Sequence, residues 1–316
     1  MLKNKNNFLE TRYRQESCQW DKYITSNGID SHAESWLKTD TVDYWRHSRM
    51  YACLDPFLNS FPEAIWLTVG DGRYGRDAHY IQSHGCKVTA SDISESLLKV
   101  GIERGYIKEY SVENVERLSF EDDAFDFVFA KECLHHLPRP WIGFYEMLRV
   151  ARKGIVVIEP MEAPLVKNPR SVMKNLAAFF LNRYFPWLKH LFSCGDVIRP
   201  YWNDWEEVGN YVFRVSEREI EKIALALDYS MCAFKYLNDT YIKGVEQSSL
   251  DSPMFQQIKR AIAKRDRLCE LGLNQASYKK VSCAIFKAVP SEAVNETLRQ
   301  AGYRINILPR NPYRHQ

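Results

Sequence analysis

The chain has 316 residues, of which 45% are apolar, 26% charged and 13% aromatic, enough for one α/β core carrying substantial additions. Its 43 Lys and Arg against 40 Asp and Glu give a formal charge of +3, which excludes a strong pull toward polyanions and argues against a nucleic acid partner. Eight cysteines without a C-x-x-C pair or a zinc-spaced Cys/His cluster argue against a metal site and read as thiols of a reducing compartment, so a cytoplasmic location is expected.

Residues 1 to 7 are not followed by the apolar run of a signal peptide. Up to about residue 60 the chain is polar and aromatic, with Trp20, Trp36, Tyr44 and Trp45, and reads as an N-terminal helical cap region. From Ala64 the rhythm changes. Ala64 to Val69 is an apolar strand ending in a glycine turn, followed by a helix over Arg76 to His84, a strand over Lys87 to Ala90 and a helix over Ile93 to Gly101. Glu109 to Val112 is a weakly signalled strand. Phe125 to Ala130 is a strand, Trp141 to Ala151 a helix and Ile155 to Glu159 a strand. This alternation predicts a Rossmann-like, mostly parallel sheet of seven strands with helices on both faces.

After Pro160 the alternation stops until about Val215, a Pro- and aromatic-rich stretch that reads as a substrate-lid insertion. Within it, Leu176 to Phe192 is interrupted by Asn182, Arg183, Pro186 and Lys189 and is too polar to span a bilayer, although it could lie at a membrane interface. Ser216 and Glu219 form a capping-box pattern that starts a helix to about Leu227. Met231 to Tyr236 and Val281 to Phe286 supply strands six and seven, with a helical excursion from Met254 to Leu271 between them. The expected units are therefore 1–60, a core over 61–159, the insertion 160–215, the rest of the core over 216–288 and a C-terminal tail over 289–316.

The glycine turn is Gly70-Asp71-Gly72-Arg73-Tyr74-Gly75, a literal G-x-G-x-x-G between a strand and a helix, with Asp92 near the end of the next strand. Glycines permit close backbone approach to a ligand, and an acidic side chain accepts from ribose hydroxyls. That logic serves a dinucleotide and a nucleoside cofactor equally well.

Three further segments follow at matching intervals: Glu113 to Val128 with Asn114, Leu118-Ser119-Phe120 and Phe125-Asp126; Lys131-Glu132-Cys133-Leu134-His135-His136-Leu137; and Glu146 to Ala151. In this order they resemble the class I S-adenosylmethionine (SAM) methyltransferases, within the branch that includes ubiquinone and menaquinone biosynthesis enzymes and natural-product and sugar methyltransferases. The resemblance covers about residues 60 to 160. It departs at Thr68, where the family has an acidic residue, and at Tyr74, where it has a glycine.

The resemblance implies a cofactor site built from Gly70, Asp71, Gly72, Asp92, Ile93, Asn114, Val115 and Lys131. In it Asp92 holds the ribose, Ile93 packs on the adenine, Asn114 and the Val115 N–H read its edge, and Asp71 or an N-terminal group stands in for the acidic residue missing at Thr68. S-adenosylhomocysteine (SAH) would be the product. His135 and His136 are candidate general bases, and Glu159, ending a strand at the same crevice, is a third catalytic candidate. Glu132 with Tyr201, Trp202 and Asp204 of the insertion are candidate acceptor-binding residues. The expected partner is a small polar acceptor, a sugar or natural-product intermediate methylated on O or N. An NAD-dependent oxidoreductase and a catalytically silent SAM-binding protein are the alternatives; the oligomeric state is not legible.

Overall fold

The computed structural model describes residues 5–26, 28–162, 211–271 and 278–313. The N-terminal region comprises α1 (Lys5–Asp21), a hairpin of β1 (Ile24–Thr25) and β2 (Gly28–Ile29), then α2 (Ser31–Ser35), α3 (Val42–Tyr51) and α4 (Asp55–Ser60). The core follows as β3 (Ile65–Val69), α5 (Arg76–Ser83), β4 (Lys87–Asp92), α6 (Ser96–Glu103), β5 (Tyr110–Val112), β6 (Phe125–Lys131), α7 (Pro140–Val150) and β7 (Ala151–Pro160). It is completed by α8 (Glu217–Ala226), β8 (Met231–Leu237), α9 (Pro253–Glu270), β9 (Lys280–Phe286), α10 (Glu292–Gln300) and β10 (Arg304–Ile307).

One sheet of eight strands runs in the order β10-β8-β9-β7-β6-β3-β4-β5. β7, β6, β3, β4 and β5 are mutually parallel, while β9, β8 and β10 add antiparallel pairings at one edge. The count exceeds the expected seven because residues 289–316, expected as a tail, contain α10 and β10, and β10 pairs with β8. Its alternation of Arg304 and Asn306 with Ile305 and Ile307 is that of an edge strand, too short and polar to register as a core strand.

Burial follows the pleat. In β3, Trp66 enters the core on one face while Leu67 and Val69 enter the other; in β6, Phe127 and Phe129 oppose Val128 and Ala130. Both faces are thus covered, as parallel strands require. β7 begins at Ala151 rather than Ile155, since pairing with β6 continues across an irregularity at Phe125/Phe127, and polar Arg152 and Lys153 there reach Asp126. α6 begins at Ser96 rather than Ile93 because the Ser94 N–H is drawn back to the Asp92 carboxylate at 2.8 Å. The Ser216–Glu219 capping box is formed.

Chain order places β3, β4 and β5 to one side, then returns β6 to the other side of β3. A crevice opens at such a reversal, outside the carboxyl ends of the strands, and ligands of open α/β sheets bind there. Among the described residues, no helix is long and apolar enough to cross a membrane.

Candidate active site

A cavity of about 390 Å³ lies at that crevice. Its wall takes Gly70 just after β3, Asp92 at the end of β4 and Ile93 after it, Asn114 and Val115 from the loop after β5, and Glu132, Cys133 and His136 from the loop after β6. α1 covers it with Tyr13, Glu16 and Trp20, which at spacings of three and seven share one face of that helix. Tyr13 is tied to Glu116 at 2.8 Å and to Arg139 at 2.9 Å, and Asp21 accepts from the Ser94 and Ser96 hydroxyls at 2.7 and 2.5 Å.

Gly70 sits at φ +69, and a Cβ there would stand 2.2 Å from Cys133 Sγ. A Gly70→Ala variant therefore has to combine a left-handed backbone with a displaced β6 loop. It is expected to lose a few kcal/mol of stability, of order 1–3, and to bind SAH measurably less well, by denaturant unfolding and calorimetry. Gly72 keeps its bare backbone against Asp92, whose Oδ2 would lie 3.0 Å from an added Cβ. Tyr74 occupies the family's glycine position with φ +61. Its ring is fully buried against Ala33, Trp36 and Leu97, and that burial offsets the backbone strain.

Asp92 is 4% exposed and accepts the Ser94 N–H and the Gly72 N–H. Burial pushes its pKa up to about 7, against these two hydrogen bonds. A carboxylate has about four acceptor positions, so both oxygens retain capacity for ligand hydroxyls. Asn114 Oδ1 accepts the Glu116 N–H at 3.0 Å, closing its own loop with one lone pair remaining. Asp71 is turned away from this cavity: its carboxylate accepts Thr68 Oγ1 at 2.8 Å and the Asp77 and Ala78 N–H groups at 2.9 and 2.8 Å. Asp71 thus caps α5 and fixes the turn; burial and the Asp77 charge hold its pKa well above the ordinary value.

A second cavity of about 290 Å³ adjoins the first, sharing Trp20, Gly70, Arg73, Glu132 and His136 with it. Its wall is a ring of ion pairs. Asp43 lies 3.1 Å from Arg76, 3.3 Å from His47, 3.5 Å from Arg46 and 3.7 Å from Arg73. Arg46 also pairs with Asp239, Lys280 with Glu132, and Lys131 with Asp77 at 3.1 Å. His47 is buried, and that burial together with the Lys131 charge holds its pKa well below the usual imidazole value; as a neutral ring it bridges Lys131 and Asp43.

Glu132 stands where the two cavities meet, with φ +57. Burial would raise its pKa, but Lys280 and then His135 bring it down to about 2, so it is a carboxylate throughout the neutral range. Glu159 is fully buried and lines neither cavity: Oε1 accepts the Cys133 and Leu134 N–H groups at 2.9 and 2.8 Å, and Oε2 lies 2.7 Å from His135 Nδ1. It therefore stands behind His135, which lines the second cavity. Ligand atoms of Glu132, His135 and Glu159 fall within 4.8 Å of one another, but those of Glu159 are engaged by two backbone N–H groups and His135 Nδ1, and Glu132 is paired with Lys280.

Of the expected cofactor residues, Gly70, Asp92, Ile93, Asn114 and Val115 line the first cavity and Gly72 abuts Asp92. Lys131 lines the second instead, because Asp77 and His47 draw its ammonium there. Tyr201, Trp202 and Asp204 lie outside the described residues, as does Leu176 to Phe192. Sequence reasoning missed Tyr13, Glu16 and Trp20, whose one-face spacing was a usable signal. It also missed Asp43, Arg46, His47 and Asp239, whose convergence is a product of the fold.

The open parallel sheet, the switch-point cavity and the buried acid after the second core strand define a Rossmann-like cofactor-binding domain. Residues 67–158 match a family described as a methyltransferase domain. The chain is 25% identical over 142 residues to phosphoethanolamine N-methyltransferase 2 of Caenorhabditis elegans, covering 43% of this chain and 32% of that protein. It is 32% identical over 116 residues to demethylmenaquinone methyltransferase of Staphylococcus aureus (strain Newman), covering 34% of this chain and 44% of that protein. The matches thus span less than half the length of either relative. Similar solved structures include a SAM-dependent methyltransferase from Archaeoglobus fulgidus (13% identity, TM-score 0.45, 76% of this chain and 94% of that one). Another is magnesium protoporphyrin IX methyltransferase from Synechocystis PCC 6803 with bound SAH (11%, 0.43, 89% and 99%).

Proposed function

We propose that the chain is a SAM-dependent methyltransferase acting on an O or N atom of a small polar metabolite. The observation that carries this reading is the buried Asp92 carboxylate, with acceptor capacity left on its oxygens, in a cavity shared with the glycine turn and lying inside the methyltransferase-matched segment. The residues present suit the cofactor. Asp92 takes ribose hydroxyls, Ile93, Val115 and Leu137 give an apolar slot for a base, and Arg73 puts a cation on the wall for the carboxylate of an amino-acid end.

When bound, SAM supplies a methyl group on a sulfonium centre. The chain's own tasks are then to align the acceptor, exclude water and take up a proton. α1 roofs the cavity. With Glu159 as the fixed acceptor, the His135 proton is assigned to Nδ1, so Nε2 carries the lone pair, the arrangement of an oriented general base. His136, on the wall of both cavities, is the second candidate. The literal G-x-G-x-x-G also suits a nicotinamide dinucleotide, but the methyltransferase match runs through that same turn. Isothermal titration with SAM and with SAH tests the reading: one-to-one binding of both is expected, and binding of neither would contradict it.

A further inference from the structure

We propose that the second cavity recognises a compact zwitterion, a ligand carrying a protonated amine at one end and a carboxylate or phosphate at the other, and that this is the chemical class of the methyl acceptor. The inference rests on the methyltransferase reading and narrows it.

Two atoms carry the argument. Arg76 is 4% exposed; its Nη1 bonds Asp43, while its Nη2 is buried with no hydrogen-bond partner among the described residues. Glu132 Oε2 accepts from the Lys280 ammonium, while its Oε1 is buried with no partner among them. Both residues line this cavity. A buried charged group left short of a hydrogen bond is costly, so such groups are natural places for a ligand to bind. Glu132 adds a second mark of a working position, its left-handed backbone at the end of β6.

The two groups have opposite sign, and they belong to one continuous wall. Arg76 joins Asp43, Asp43 joins Arg46, Arg46 joins Asp239, and Asp239 lies 4.0 Å from Lys280, the partner of Glu132. Along this wall cations and carboxylates alternate, so a ligand with a large net charge of either sign meets as much repulsion as attraction. An apolar ring would strip water from these ions and return nothing. A neutral polyol could reach both atoms, but charge-assisted hydrogen bonds are about twice as strong as neutral ones. The ligand that satisfies both orphans offers an anion to Arg76 and an ammonium to Glu132. Since Glu132 also borders the cofactor cavity, this orientation puts the amine end toward the junction.

The cofactor's own amino-acid end is also a zwitterion, and the test separates the two sources. Protein saturated with SAH is titrated with glycine, β-alanine and O-phosphoethanolamine, and with the half-ligands ethylamine, acetate and inorganic phosphate. At least one zwitterion is expected to bind roughly tenfold or more tighter than either of its halves, the worth of one charge-assisted hydrogen bond. Arg76→Lys keeps a cation beside Asp43 but has no second nitrogen to offer, and should remove that gain while SAH affinity stays unchanged; Glu132→Gln should remove it from the amine side. Zwitterions no tighter than their halves on SAH-bound protein would overturn the proposal. So would an Arg76→Lys variant that binds SAH more weakly but 5′-methylthioadenosine normally, since the clamp would then belong to the cofactor. Failure of SAH itself to bind is read in the first titration and removes the methyltransferase reading along with this one.

Discussion

Replacing Asp92 by Ala is expected to weaken SAH binding by roughly 100-fold, the loss of two hydrogen bonds to a charged acceptor at about 1.5 kcal/mol each. The same residue sets a pH dependence. Burial raises its pKa to about 7, so in the free protein the neutral form is favoured up to that pH. The stability that this neutral form contributes is fully present below the unfolded value near pH 4, and it is lost as pH rises through about 7. The difference, about three pH units, corresponds to about 4 kcal/mol. Ribose hydroxyls donate to the ionised form, so SAH binding expels the proton. Below pH 7 the affinity should therefore fall by up to about tenfold per unit, and the rise in Tm caused by SAH should be larger at pH 8 than at pH 6. Asp92→Asn should abolish this dependence. A pH-independent affinity in the wild type would show that Asp92 does not meet the cofactor.

The second large effect is expected at His135 and Glu159. Glu159 spends one oxygen on two backbone N–H groups of the β6 loop and the other on His135, so it fixes both the loop and the ring. Glu159→Gln keeps the volume but replaces one acceptor oxygen with an N–H₂ donor, which cannot receive the Nδ1 proton. For an acceptor that must lose a proton, His135→Ala should lower kcat by about 10² to 10⁴-fold, and Glu159→Gln by a similar order through the altered tautomer. SAH affinity, measured alongside, should change little in either variant. The alkaline limb of the kcat profile should become steeper toward high pH as solvent hydroxide substitutes for the missing base. Equal loss of kcat and SAH affinity in Glu159→Gln would instead mean that the residue only holds the loop together.

Much of the core was legible because its signals are local. β3 ends in a glycine turn, β6 is apolar and aromatic from Phe127 to Ala130, and Ser216 and Glu219 write a capping box within four residues. The candidate cofactor residues Gly70 and Asp92 were legible for the same reason, each standing at the end of a strand whose position the apolar pattern gives, whereas Asn114 follows the weakly signalled β5 and is implied by the resemblance alone. Lys131 and Asp71 were assigned to the cofactor from position along the chain, but side-chain partners decide where a charge points. Asp77 and His47 take the Lys131 ammonium into the second cavity, and the α5 N-terminus takes the Asp71 carboxylate. The ring of Asp43, Arg46, Arg76 and Asp239 could not be read at all, since Arg46 and Asp239, which pair, stand 193 positions apart and meet only in the fold. β10 was missed because an edge strand needs only one apolar face.

The most direct test of the central claim is a crystal structure of the protein grown with SAH. The account predicts SAH in the first cavity, its ribose hydroxyls within hydrogen-bond distance of the Asp92 carboxylate and its adenine between Ile93 and Val115. SAH bound elsewhere, or with its ribose out of reach of Asp92, would contradict it.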